Sequence, residues 1–429
     1  VRAIDKWLLP YLLRRCPRTD GTVRLFIAVC DHFEPLHDTD KAGALGRVER
    51  WAEQFPRSIA PFRDVEGHAP KHTFFYPVEQ YDPDLLAPLA TLCRATGSEV
   101  EIHLHHDRST PGEFREALEQ GKENLLRHGL LSHDPSGRTR FGFIHGNWAL
   151  NNTHPRGAGC GIDNEIGILR ESGCYADFTM PSAPSPTQSR LVNRIAYLAD
   201  RPRHRAYADA IESTPTTGGA LRADGGRLLA IPGPLALNWK RRKWGLLPRL
   251  ENGDLTGANP PTALRLRLAS RQGISVQGRA DWVFVKWHTH GGIESNSNAL
   301  LGEPMRLFHE SIRHLGGLEI HYVTAREMAN LVHAAEDGAG GDPAPYRDYL
   351  FRRDRAMKLA YRADSLVGGG DPLEGPPPVD VNEVMSRVVA QQRPEFLQGD
   401  TFLGNNDRSR LAVSEKRRRI FDHERRQIG

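Results

Sequence analysis

Three histidines within four residues, followed at once by a carboxylate, mark the stretch Glu99-Val-Glu-Ile-His-Leu-His-His-Asp107. In a strand, Glu101, His103 and His105 share one face and Val100, Ile102 and Leu104 the other. His106 and Asp107 then fall at the strand's end. Imidazoles two apart on one face, with a carboxylate close behind, make half of a divalent metal site. A single histidine of this kind is more often a hydrogen-bonded structural residue; the density here favours metal binding or catalysis.

Such a site draws ligands from more than one strand end. Asp31-His32-Phe33-Glu34, His145-Gly146-Asn147-Trp148 and His288-Thr289-His290 each follow an apolar run of strand length. Asp31 and His32 are adjacent, so one can bind an ion while the other stays free as a base. With His103, His105 and Asp107 they give a mixed nitrogen and oxygen shell, which suits zinc and also permits manganese, cobalt or nickel. An open coordination position would hold water with its pKa lowered towards neutrality. His288 or His290, across the rim, can then protonate a leaving group. Lys286, His288 and His290 share a strand face, and His288 can instead support the site from beneath. The isolated His68, His133, His309, His314, His321 and His333 read as surface or satisfied core residues.

These residues need a frame. The spacing predicts strands at Thr22–Cys30, His72–Val78, Glu99 onward, Thr139–Ile144, Tyr175–Thr179, Asp281–Trp287 and Leu318–Val323, with a further one at Arg227–Ile231. Between them lie helical patterns. Asp82-Pro83 opens one that Gly97 stops. Thr110 with Glu113, and Thr324 with Glu327, form capping boxes. Asp163 caps a helix to Glu171, and Met180–Pro186 is a stiff, three-proline loop. Strands alternating with helices argue for a parallel α/β architecture, open or closed. Polar chemistry at most strand C-termini favours a barrel, whose active sites sit on that rim. The expected organisation is an amphipathic N-terminal helix over 1–20, a barrel domain over 21–335, and a Gly/Pro-rich, basic extension over 336–429. That tail is expected to be poorly structured apart from a charged helix over about 346–363.

Charge excludes little: 57 Lys and Arg stand against 53 Asp and Glu in 429 residues, so bulk electrostatics do not call for nucleic acid. Five cysteines with no CxxC pair argue against a disulfide framework or thiolate zinc site and fit a reducing, cytoplasmic compartment. No apolar run approaches the roughly 18 residues of a membrane span. The N-terminal helix, with Trp7-Leu8-Leu9 and Tyr11-Leu12-Leu13, packs under the domain or touches a membrane surface. Trp239–Trp244 reads as a basic, aromatic loop.

An Asp after the first strand, a histidine cluster after the third and a late His resemble the polysaccharide deacetylases (carbohydrate esterase family 4). FIHGNWALNN at 143–152, CYADFTMPSAPSPTQ at 174–188 and WVFVKWHTHGG at 282–292 resemble a divergent branch of deacetylase-like proteins. The likeness covers roughly Val23 to Ala335. It implies an irregular (β/α)7 barrel, a divalent metal, and hydrolysis of N-acetyl groups from amino sugars in a glycan. By position Asp31 resembles the family's general base, and His32 stands where its metal-binding Asp would be. The family's His-x-x-x-His becomes His103-x-x-x-Asp107 or His105-x-x-x-Ser109. Its Arg-Pro-Pro-Tyr segment is replaced by His145-Gly-Asn-Trp148, and its Leu-x-His by Lys286-Trp-His288.

The resulting assignment gives catalysis to Asp31 with His288 or His290, and metal binding to His32, His103, His105 and Asp107. Glu34, His106, His145, Asn147 and Trp148 face the substrate. Glu34 alternatively binds the ion, orients His32 or belongs to a turn, and Trp148 or Tyr76 stacks on a sugar ring. Competing readings are a hydrolase of another amide or a glycosidic bond on the same fold, and a non-catalytic carbohydrate-binding relative in glycan assembly. A nucleic-acid binder using Trp239–Trp244 and the basic tail ranks last.

Overall fold

A computed structural model of the chain describes residues 3–14, 16–17, 21–200, 207, 209–313 and 315–353. After a first helix, α1 (Ile4–Leu13), the chain alternates strand and helix: β1 (Val23–His32), α2 (Lys41–Ile59), β2 (Thr73–Pro77), α3 (Pro83–Thr96), β3 (Glu99–Leu104) and α4 (Pro111–Arg127). A short β4 (Ser132–His133) precedes β5 (Thr139–His145), α5 (Glu165–Ser172) and β6 (Cys174–Asp177). The expected punctuation holds: Asp82 caps α3 and Gly97 ends it at φ 69°, while Thr110 and Glu113 close a reciprocal capping box on α4. The position before α5 is instead Asn164, and Asp163 accepts a hydrogen bond from Asn152 Nδ2 at 2.8 Å.

The second half is less regular. It contains β7 (Ala196–Leu198), β8 (Ile211–Glu212), β9 (Leu228–Ala230), β10 (Ala236–Lys243), β11 (Leu247–Glu251), β12 (Asp254–Leu255), β13 (Trp282–Thr289) and β14 (Leu318–Tyr322). β10 and β11 form a separate antiparallel hairpin. Trp239–Trp244, expected as a loop, is thus mostly the first arm of that hairpin, its tip exposed around Trp244 and Leu246.

The remaining strands make one twelve-stranded, mostly parallel sheet in the order β12-β13-β1-β2-β3-β5-β6-β9-β7-β8. β1 is its hub. It pairs with β13 from Arg24 to Asp31, while β14 adjoins Val23–Ile27 and β2 adjoins Cys30–His32. Among the described residues no ladder joins β8 back to β12, so the expected closed ring is an open path. Single backbone bonds from segment 274–277 span part of the gap, from Phe284 N–H to Ile274 O and from Gln277 N–H to Ser213 O.

Strand alternation sorts the side chains into two cores. Leu25, Ile27, Phe74, Ile102, Phe143 and Trp287 point to the face covered by helices; α2 meets them with Ala44, Val48, Trp51, Phe55 and Ile59, one helical stripe. Phe26, Ala28, Cys30, Phe75, Ile144 and Phe284 point to the opposite face. That face also receives the helix Ala325–Glu336, which is buried along its whole length instead of lying outside as a (β/α) repeat would place it. Burying it needs its polar groups satisfied. Arg326 donates to Glu99 and to Asp348 and Phe351 O, and Asn330 donates to Arg347 O and Phe351 O. Residues 337–353 therefore pack on this body, although the sequence assigns them to the extension. The first part of the charged helix expected over 346–363 is a single 3-10 turn (Ala344–Tyr346) and irregular chain, and the rest lies outside the described residues.

α1 buries Trp7 and Tyr11 against Ala183, Val192 and Leu235, and leaves Leu9, Leu12 and Leu13 exposed. No helix among the described residues is long and apolar enough to cross a membrane. All five cysteines are free thiols, four of them buried.

Candidate metal centre

The parallel register that aligns Cys30 with His288 carries one step further at the strand ends, setting His32 beside His290. Their ring centroids are 4.7 Å apart. On the other side β3 brings His103 to 4.8 Å from His32, and His105 lies 4.5 Å from His103. Glu34, buried just after β1, reaches into this ring of imidazoles. Its Oε1 lies 3.2 Å from His103 Nε2 and 3.6 Å from His105 Nε2.

The outward nitrogens fix the tautomers. His103 Nδ1 is 3.0 Å from Ile144 O, and His105 Nδ1 is 2.7 Å from Glu79 Oε1. A carbonyl and a carboxylate only accept, so both Nδ1 atoms must donate. In the neutral ring each Nε2 then carries a lone pair, and two lone pairs converge on a carboxylate oxygen. Such a gathering of acceptors needs positive charge among them, either a proton on an imidazole or a metal cation. Glu79 behind His105 is also the usual outer partner of a metal-binding imidazole. For bond lengths of about 2.0–2.2 Å to nitrogen and oxygen, tetrahedral ligands stand about 3.3–3.6 Å apart, and the two distances to Glu34 Oε1 lie close to that span.

Burial and the neighbouring His290, His103 and His288 hold the His32 pKa well below its ordinary value, so the ring stays neutral. Burial opposes ionisation of Glu34, yet the surrounding His105, His103 and His37 hold its carboxyl well below the usual range, as positive charge beside it would. His288, one strand step beneath His290 and 6.1 Å from His32, is also held well below the ordinary value, by burial first and then by Lys286. Lys286 in turn is lowered to about 8 by burial, and its Nζ donates to Phe178 O and to Met180 O at 2.8 Å, pinning the proline-rich loop. Trp148 stands edge-on at the mouth, 6.1 Å from His32 and 6.4 Å from His290.

Two expected members lie elsewhere. Asp31 points to the helix-covered face because it neighbours His32 in a strand, and period-two alternation cannot turn both inward. Its Oδ2 takes a hydrogen bond from His72 Nε2 at 2.9 Å, and its Oδ1 takes one from Gly291 N–H at 2.6 Å. It therefore fixes the backbone next to His290. Asp107 sits beyond the end of β3, where Arg108 at φ 54° turns the chain away; its Oδ1 accepts Gly159 N–H at 2.7 Å. Glu34 and His290, assigned from sequence to substrate and to proton transfer, instead stand among the ligand donors.

His106 and His145 form a second buried cluster with Glu165 and Cys160, on the helix-covered face near Phe114. Glu165 Oε1 is 3.1 Å from His106 Nε2 and 3.6 Å from His145 Nε2, and Cys160 Sγ is 3.3 Å from its Oε2. Here protons suffice. His145 Nδ1 accepts Asn147 N–H at 3.1 Å, so its Nε2 carries the proton and faces the carboxylate. Asn147 Nδ2 donates to His106 O and Gly159 O, which ties the loop after β5 to that after β3. His106, His145 and Asn147 thus organise the wall beside the centre.

Glu79, His72, Cys160 and Glu165 carry no signal in the sequence pattern. The roles of Glu79, His72 and Glu165 come from contacts across 26 to 59 residues, for which no local spacing gives a signal, and Cys160 joins through Glu165. Among the isolated histidines, His309 meets Tyr322 Oη, His321 meets Glu66 and His333 meets Glu336, as satisfied core residues do. The chain matches no known family model and no curated protein.

Proposed function

We propose that this protein is a metal-dependent hydrolase whose ion is held by Glu34, His103 and His105, with His32 and His290 alongside. The observation that carries the reading is the convergence of two imidazoles on one carboxylate oxygen: His103 and His105 each set Nδ1 against an outer acceptor and turn Nε2 to Glu34 Oε1. The donor set of imidazole and carboxylate suits zinc, and equally manganese, cobalt or nickel. When bound, the ion supplies Lewis acidity for activating water and polarising an acyl oxygen.

The chain's own residues do the remainder. His288, a neutral imidazole one strand step beneath His290, has a buried Nδ1 without a hydrogen-bond partner, which can hydrogen-bond the attacking water or the leaving amine. Asp31 positions His290 through Gly291 and touches no reacting atom. Trp148 offers an aromatic edge at the mouth, suited to packing on a sugar ring. Together with the resemblance of segments 143–152, 174–188 and 282–292 to deacetylase-like proteins, this favours an N-acetylated glycan as substrate, on an irregular (β/α)7-type arrangement of the sheet.

The test is acetate release from a panel of N-acetylated oligosaccharides by metal-loaded protein, beside Glu34→Gln. Release that is lost in the variant is the expected result. Glycan binding that survives metal removal, with no bond cleaved, would put the non-catalytic reading in front. Cleavage without acetate would move the activity to another bond on the same fold.

A further inference from the structure

The donors around Glu34 span more than one ion accepts. His32, Glu34, His103, His105 and His290 do not fall into one compact set. They form two, His32/Glu34/His290 and Glu34/His103/His105, which share only Glu34. Donor atoms within each set lie within 4.8 Å of one another. Ligands of a single ion at about 2.1 Å stand at most about 4.2 Å apart, even when opposite.

The atoms left over point the same way. Glu34 Oε1 faces His103 and His105, while its Oε2 is buried without a hydrogen bond, His37 Nδ1 standing 3.6 Å away. His32 Nδ1 is likewise buried and without a partner. An orphaned carboxylate oxygen and an orphaned imidazole nitrogen in one buried cluster each carry a desolvation cost, which a shared cation removes. Behind each half stands a further carboxylate: Glu79 on His105, and Asp31 on the Gly291 N–H next to His290.

We infer that Glu34 bridges two divalent cations, one completed by His103 and His105 and the other by His32 and His290. This rests on the reading that the cluster binds metal. It adds a second site and makes the centre one in which two ions about 3.5–4 Å apart can engage one substrate oxygen each. The half-exposed His290 and the adjoining Trp148 place the second ion on the open side of the centre.

The experiment is a titration of chelator-stripped protein with Mn2+ alone, read as bound equivalents by elemental analysis after desalting and as electron paramagnetic resonance of the bound ions. Wild type is expected to hold two equivalents with an exchange-coupled signal. His290→Ala and His103→Ala/His105→Ala should each hold one equivalent with an uncoupled signal, and circular dichroism shows whether each variant is folded. His290→Ala serves as the decisive variant should the buried pair fail to fold, because its ring is partly exposed. One equivalent in wild type, unchanged by His290→Ala and lost on changing His103, overturns the bridge and leaves the hydrolase reading standing. No bound Mn2+, Co2+ or Zn2+ in folded wild type overturns both.

Discussion

Glu101 lies on the inner face of β3, one strand step below His103, and is the carboxyl most sharply at odds with its surroundings. It is 1% exposed, with Tyr175 Oη 2.6 Å from Oε1 and Gly142 N–H donating to Oε2 at 2.5 Å. Burial, joined by the charge of Glu99, pushes its pKa up from 4.5 to about 8 in spite of those hydrogen bonds. The folded protein therefore keeps this proton at neutral pH, and the unfolded chain does not. Below 4.5 both states are protonated and the contribution to stability is complete. Between 4.5 and about 8 the native state binds more protons, so stability falls as pH rises. At 1.36 kcal/mol per unit the full window is worth about 5 kcal/mol, of which about 2 kcal/mol falls between pH 6 and pH 8. Glu101→Gln mimics the protonated acid: its amide oxygen can accept from Gly142 and its amide nitrogen can donate to Tyr175. Urea unfolding of wild type and variant at pH 6, 7 and 8 should show the variant gaining about 2 kcal/mol over wild type across that range. A difference that stays constant with pH would refute the reasoning, since it would mean Glu101 is ionised in the fold throughout.

Two further substitutions probe the centre's supports. A Cβ on Gly146 would lie 2.3 Å from His105 Cδ2 and 2.4 Å from its Cγ, so Gly146→Ala should displace that ring and lower metal affinity at least tenfold, about 1.4 kcal/mol. Competition against a calibrated chelator measures this, and unchanged affinity in a folded variant would contradict His105 as a ligand. Asp31→Asn weakens a buried charged hydrogen-bond pair and should cost about 1–3 kcal/mol in urea unfolding. It should also weaken the metal position that uses His290 while sparing the one that uses His103 and His105, and full retention of both positions would remove its assigned positioning role.

Much of the frame is legible in local pattern. The capping boxes at Thr110 and Thr324, the Gly97 stop and the two-residue alternation of β1, β3 and β13 each rest on contacts within a few residues. The same alternation separates Asp31 from His32, and it outranks positional likeness to a family pattern. Glu34 looks ambiguous in sequence because it follows the strand, where alternation no longer predicts direction. Asp107 misleads for the same reason, since the Arg108 turn redirects it. The burial of the helix Ala325–Glu336 is equally hidden, because its polar residues Arg326 and Asn330 resemble a solvent face until residues 347–351 cap them. Glu165 and Cys160 reach His106 and His145 through a loop rich in left-handed positions, Trp148, Asn151 and Asn152 among them, which no periodicity reports.

The central claim is that a cation belongs among His103, His105 and Glu34. Elemental analysis of protein purified without chelator, beside His103→Ala/His105→Ala and Glu34→Gln prepared identically, tests it most directly. At least one equivalent of zinc or another transition ion is expected in wild type, with a clear loss in both variants. Wild type that is folded yet metal-free, and that stays metal-free after incubation with zinc, manganese, cobalt and nickel in turn, would contradict it.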